Sequence, residues 1–188
     1  MNRRSALLLV LGTAVSASAC TQTGRYDPRV TAEWASAPYT LASGDKLRII
    51  VFGQDSLSNI YAVDGAGRIS MPLIGAVPVA GRTTAEAVQA IEAKLRAGFL
   101  REPRVTVEVD AYRPFFVLGE VTTSGQFPYV NGMTVQTAVA IAGGFTARAL
   151  RTSAEITRQT PRGPVTATVP VTYAVRPGDT IVVGERWF

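Results

Sequence analysis

The segment Tyr39-Thr40-Leu41-Ala42-Ser43-Gly44-Asp45-Lys46-Leu47-Arg48-Ile49-Ile50-Val51-Phe52-Gly53 decides how the rest of the chain is read. A Ser43-Gly44-Asp45 turn feeds a run rich in β-branched and aromatic residues that Gly53 closes, which predicts a strand with a turn before it. Downstream, Val63-Asp64-Gly65-Ala66-Gly67-Arg68-Ile69-Ser70-Met71-Pro72-Leu73-Ile74-Gly75 holds two short apolar segments joined across Asp64-Gly65. Asp-Gly readily takes positive φ, so this pair is the strongest short-range hairpin signal in the chain. Gly44-Asp45 alone is a generic turn; the information lies in the spacing of the three pieces together.

Outward from this core, Thr83-Thr84-Ala85-Glu86 has the Ser/Thr-x-x-Glu spacing that ties off unpaired amides at a helix start. Val88, Ile91 and Leu95, with Ala87 beside them, then recur at helical spacing within residues 84–97, predicting a helix packed on a sheet. Pro103 follows the break, and Val105, Val107 and Val109 alternate with polar residues as a half-buried strand. Glu108 and Asp110 share that strand's solvated face; such spacing does not place two carboxylates on either side of a scissile bond.

After a brief joint at Tyr112-Arg113-Pro114, a second unit begins. Phe115-Phe116-Val117-Leu118-Gly119-Glu120-Val121 predicts a strand, and Ser124-Gly125-Gln126-Phe127-Pro128-Tyr129 a turn into the next, with Gly125 as its permissive residue. Thr134 caps a short helix over residues 135–142 that Gly143-Gly144 ends. Strands follow at residues 153–159, 165–173 and 180–183, the first two joined by a loop at Pro161-Arg162-Gly163-Pro164. Gly178-Asp179 before the last strand echoes Gly44-Asp45, although two such turns arise often without repetition.

The Tyr-x-Leu-x-x-Gly-Asp-x-Leu entry at residues 39–47, the Asp-Gly hairpin and the Pro72-Leu73-Ile74-Gly75 exit resemble the periplasmic domain of the outer-membrane polysaccharide export family. The Thr-x-x-Glu helix start and the Pro-x-Val-x-Val strand extend this resemblance to Tyr112. The second unit is similar to the SLBB domain, a β-grasp-like module that opens Val-x-Gly-x-Val and then has Pro-Gly, where this chain has Ser124-Gly125. The resemblance implies an α+β fold in two small β-rich domains, a polysaccharide biosynthesis/export domain over residues 39–112 and an SLBB domain over residues 115–188.

The N-terminus sets the compartment. Asn2-Arg3-Arg4 precedes an apolar stretch, residues 5–19, that falls short of the roughly 18 to 20 residues of a spanning helix and reads as a signal peptide, residues 1–19. Arg3-Arg4 sits among residues poorly suited to a twin-arginine signal. Ala17-Ser18-Ala19-Cys20 resembles a bacterial lipoprotein box, which makes Cys20 the candidate lipidation site; the same Ala-x-Ala suits ordinary signal peptidase, leaving a soluble periplasmic protein with a free thiol. Residues 20–38, polar with Gly24, Pro28 and Pro38, read as a lipid-anchored tether in which Trp34 is either exposed or a cap on the first core.

Composition excludes several functions. The 188 residues are 47% hydrophobic, enough for one or two modest cores. The formal net charge of +5 includes Arg3 and Arg4, and the other arginines are dispersed with no basic run, which argues against nucleic acid. No histidine and a single cysteine remove the commonest general base, intramolecular disulfides and thiolate metal clusters, so neither catalysis, metal nor cofactor is expected. The phosphate-binding Gly-x-x-x-x-Gly-Lys-Ser/Thr pattern is absent.

The resemblance implies a lipoprotein at the periplasmic face of the outer membrane that assembles into a homo-oligomeric ring conducting polysaccharide. Its expected partners are further copies of itself, an inner-membrane copolymerase of tyrosine-kinase-like type and the polymer. Larger relatives carry a membrane-crossing C-terminal helix, whereas only four residues follow Gly184 here, so a separate outer-membrane β-barrel is also expected. A free periplasmic module that binds a soluble ligand or glycan is the alternative, with Tyr112, Phe127 and Tyr129 as candidates to stack on sugars. Trp187 and Phe188 read as an edge closing a core or packing on a neighbour rather than as a membrane anchor.

Overall fold

A computed structural model describes residues 28–186; the expected signal peptide, Cys20, Trp187 and Phe188 lie outside them. The chain is α+β and builds two hydrophobic cores, each under its own sheet.

In the first unit β1 (Lys46–Val51) is central, flanked by β2 (Asn59–Ala62) and β5 (Val105–Ala111), both antiparallel to it. Strict alternation along β1 puts Leu47, Ile49 and Val51 into the core and Lys46, Arg48 and Ile50 outside, as a period of two requires. A hairpin of β3 (Arg68–Met71) and β4 (Gly75–Pro78) adds Ile69, Met71 and Val77. Helix α1 (Pro28–Ser36) precedes these strands, and α2 (Thr84–Arg96) covers the core with Ala87, Ile91 and Leu95. Burying Ile91 and Leu95 stabilises the unit by roughly 1.5–3 kcal/mol each. The cap on α2 is reciprocal: Glu86 donates its amide to Thr83 Oγ1 and accepts from the Thr83 amide at 2.7 Å. The Glu92 carboxylate accepts the Val105 amide at 3.1 Å, tying the helix to β5.

The second unit is a mixed sheet in the order β7-β6-β10-β8-β9, formed by β6 (Phe115–Gly119), β7 (Gly125–Phe127), β8 (Ser153–Thr160), β9 (Gly163–Pro170) and β10 (Thr180–Val183). Its first and last strands, β6 and β10, pair in parallel, and the other pairings are antiparallel. Helix α3 (Val135–Ile141) packs Val135, Ala138 and Val139 on the inner face against Phe115, Val117, Ile156 and Ile181. Thr134 and Thr137 cap α3 reciprocally, and the chain leaves it through Gly143 and Gly144, both at positive φ.

Four local expectations are corrected. Asp64-Gly65 is a turn, but the strands beside it pair elsewhere, β2 with β1 and β3 with β4. The Asp64 carboxylate holds this turn by accepting the Ala66 and Arg68 amides, and its left-handed residue is Gly67. The true hairpin turns at Pro72-Leu73-Ile74, where the Ile74 amide reaches the Pro72 carbonyl and Leu73 sits at φ +66°. The hairpin after β6 does not depend on Gly125, which pairs with Val117 in an ordinary strand. The second strand of the last hairpin ends at Pro170 rather than Tyr173, because the Tyr173 amide turns back to the Pro170 carbonyl.

The fourth correction concerns the tether. Residues 28–36 are helical, and Trp34 is buried in the core of the second unit, neither exposed nor on the first core. Its indole lies 4.6 Å from the Arg158 guanidinium, and Tyr173 donates its hydroxyl to the Thr31 carbonyl. Aromatic burial and a cation–π contact thus hold down a helix too short to persist alone.

Gly119 terminates β6 at φ +85°, where a Cβ would stand 2.2 Å from the Val183 carbonyl oxygen of the parallel neighbour. Gly119→Ala should therefore destabilise the second unit by more than the roughly 1–2 kcal/mol that left-handed backbone alone costs. Urea unfolding followed by Trp34 fluorescence measures this, and an unchanged midpoint contradicts the close approach.

Candidate functional site at the domain joint

The two Gly-Asp turns adopt the same geometry. Gly44 (φ +94°) precedes Asp45 at the mouth of β1, and Gly178 (φ +83°) precedes Asp179 at the mouth of β10. Each carboxylate accepts the amide three residues before it, Ala42 for Asp45 and Arg176 for Asp179, at 2.8 Å in both. Each Asp is buried, and each meets an arginine, so neither charge lies unpaired in a poorly solvated place.

Asp179 takes a two-pronged contact from Arg158, Nε to Oδ1 at 2.9 Å and Nη2 to Oδ2 at 2.7 Å. Arg158 reaches it because β8 turns Ala154, Ile156 and Arg158 to the same inner face. Asp45 is held by the first unit and by the connection that leaves it. Tyr39 donates its hydroxyl to Oδ2 at 2.6 Å, the Arg113 amide donates to Oδ1 at 2.9 Å, and the Arg113 guanidinium reaches Oδ2 at 3.2 Å and Tyr39 Oη at 2.9 Å. Burial first, then the bond to Asp45, push the Tyr39 phenol well above its ordinary range, so it remains a donor.

Arg113 runs between the two turns: a Cβ on Gly178 would lie 2.6 Å from Arg113 Nε, and one on Gly44 3.4 Å from Arg113 Cβ. The joint is closed further by the Gly178 amide, which donates to the Pro114 carbonyl. Beside it Tyr39, Tyr112 and Tyr129 form an aromatic wall, Tyr112 meeting Tyr39 at 5.1 Å and Tyr129 at 5.3 Å, both edge to face.

This wall lines a crevice of about 200 Å³ with Asn131, Arg176 and Pro177. A smaller cavity of about 90 Å³ shares Tyr39, Arg176 and Pro177 with it and continues to Arg113 and Arg158. Arg176 is partly buried and donates to the Ala37 carbonyl. Burial, and next the charge of Arg158, pull its guanidinium below the ordinary range, partly offset by the charge of Asp179.

Of the residues singled out from sequence, Tyr112 and Tyr129 meet in this crevice, whereas Phe127 packs on Phe115 in the second core. Glu108 and Asp110 stay on the outer face of β5, where Asp110 pairs with Arg48, and neither lines the crevice. Cys20 lies outside the described residues. Among the described residues no group of three metal-ligating side chains comes together. Sequence reasoning missed Tyr39, Arg113, Arg158 and Arg176; the repeated Gly-Asp turn was the available signal, since each of its carboxylates calls for a cation.

Comparison with known proteins agrees with this two-part architecture. Residues 34–110 match the polysaccharide biosynthesis/export protein family, and residues 114–169 match the SLBB domain. The exopolysaccharide production protein ExoF of Rhizobium meliloti (strain 1021) is 36% identical over 118 residues, covering 56% of this chain and 28% of that protein. The chain thus spans under a third of the length of this relative.

Arg113→Ala leaves Asp45 buried with Tyr39 and two amides as partners, so we expect a loss near the lower end of the roughly 3–5 kcal/mol for breaking a buried pair. Residues 112–114 should also become sensitive to limited proteolysis. Denaturant midpoints and cleavage-site mapping check both, and wild-type behaviour in both contradicts the role given to Arg113.

Proposed function

Since the chain belongs to the family of polysaccharide biosynthesis/export proteins, we propose that it is an outer-membrane-associated lipoprotein whose copies assemble into a ring conducting an exopolysaccharide through the periplasm. The observation that carries this reading is the hydrogen-bonded joint: the connection between the two family domains is tied down by Arg113 and Asp45 and by the Gly178 amide on the Pro114 carbonyl, which suits a block for symmetric tiling. Exposed apolar side chains support it. Ile50 and Ile60 stand on the outer face of the first sheet, and Phe116 and Leu118 on that of the second, where copies packed side by side would cover them. The relative's name supports an exopolysaccharide as cargo. No described helix is long and apolar enough to cross a membrane. The proposal includes an outer-membrane β-barrel that completes the path and an inner-membrane copolymerase that delivers the polymer.

The second reading, a free periplasmic glycan-binding module, is favoured by the crevice at the joint. Oligomeric state separates the two. Mass photometry of detergent-solubilised full-length protein should show one closed oligomer, and deletion of the gene should abolish polymer secretion; a monomer at every concentration favours the binding module instead.

Cys20 is proposed as the lipid attachment point on the strength of Ala17-Ser18-Ala19 before it. Cys20→Ser should move the protein from the membrane to the soluble periplasmic fraction, and radioactive fatty acid should label only the wild type. An unlabelled wild-type protein rules the anchor out.

A further inference from the structure

The charges at the joint do not cancel. Arg113 is matched by Asp45 and Arg158 by Asp179, but among the described residues the Arg176 guanidinium has no carboxylate within 4.0 Å; Asp179 takes only its backbone amide. Among the described residues the Arg176 side chain, with the five donors a guanidinium carries, donates to a neutral acceptor, the Ala37 carbonyl. A third cation is thus held partly buried beside Arg158, where it is repelled and only partly hydrated. Such a group gains most from an incoming anion, and a planar guanidinium fits a carboxylate with two parallel bonds.

The walls narrow the choice of anion. Tyr39, Tyr112 and Tyr129 are braced against each other edge to face, giving fixed apolar surface with polar tips, the kind of wall that packs against the C–H faces of a sugar ring. Asn131, exposed at the rim, offers an amide to hydroxyl groups. At about 200 Å³ the crevice has room for one sugar ring and lies below the roughly 300–1,000 Å³ of drug-sized sites.

We propose that the joint crevice binds an acidic sugar residue, its carboxylate on Arg176 and its ring against Tyr112 and Tyr129. This rests on the export reading for the source of the sugar, an acidic polymer passing through the assembly, and for the expected affinity. The affinity is low, because a site on a conduit has to release each residue as the chain moves on.

The test uses full-length wild-type protein with a tetrasaccharide of glucuronic acid, a neutral tetrasaccharide of glucose, and phosphatidylglycerol vesicles, read by titration calorimetry and NMR. Wild type should bind the acidic tetrasaccharide at least tenfold more tightly than the neutral one, with shift changes at Tyr112 and Tyr129. Arg176→Gln should weaken acidic binding at least tenfold, Arg176→Lys less, and Tyr129→Ala should weaken it severalfold, whereas Arg151→Gln at an exposed site should leave it unchanged. If Arg176→Gln fails to fold, the acidic-to-neutral ratio of the wild type and the Tyr129→Ala result still decide. Equal binding of both sugars, no acidic binding, or binding to vesicles alone overturns the site. A deletion strain separates this from the export reading: lost secretion without acidic binding leaves export standing and removes the site, and acidic binding with normal secretion does the reverse.

Discussion

A single buried carboxylate, Asp45, anchors the connection between the two halves of the molecule. Removed from water, it has to be hydrogen-bonded and paired, and it collects four donors: the Tyr39 hydroxyl, the Ala42 amide, and both the amide and the guanidinium of Arg113. Arg113 lies in the short connection between β5 and β6, so satisfying Asp45 sets the direction in which the chain leaves the first sheet. The net stability of such a pair is small because desolvation offsets the attraction, but losing one partner is costly. Its larger effect is on geometry, since its four donors come from the first unit and from the connection and tie the one to the other.

The second Gly-Asp turn repeats this solution at the other side of the joint. In both, a left-handed glycine brings the aspartate under the turn, where it accepts the amide three residues earlier, and the chain then enters a strand with neighbours on both sides. The side chain of Arg113 passes between the two turns, which is possible because Gly178 has no Cβ to obstruct its Nε. Two turns that look generic in sequence are thus complementary surfaces for one arginine.

Elements that depend on local pattern were legible in the sequence. A turn followed by a β-branched run revealed β1, alternation β5, the Thr83–Glu86 spacing the start of α2, and Gly143-Gly144 the end of α3. Features that depend on distant contacts were not. The segment holding α1 is polar and flanked by prolines, and its helix is visible only once Trp34 is seen against Arg158, 124 positions later in the numbering. The turn at Asp64-Gly65 was found, but not that its flanking strands pair with other neighbours, because pairing is settled by which core each strand covers. Tyr112 and Tyr129 were recognised as able to stack on sugars, yet the arginines beside them come from separate strands and loops and leave no contiguous signature.

The bonds at the joint bear on the proposed ring. A closed ring requires every copy to present its faces at the same angle, since a small error per copy accumulates around the circle and leaves an open helix. A flexible linker between the two sheets would introduce that error, whereas a connection held by Asp45, Arg113 and the Pro114 carbonyl does not. The crevice gains from the same constraint. Its walls come from both units, Tyr39 and Tyr112 from one side and Tyr129, Asn131 and Arg176 from the other, so its shape is only as constant as the angle between them. Arg113 takes part in both, bracing Tyr39 through its hydroxyl and lining the adjoining cavity, which makes the cation that sets the angle part of the surface a ligand would meet.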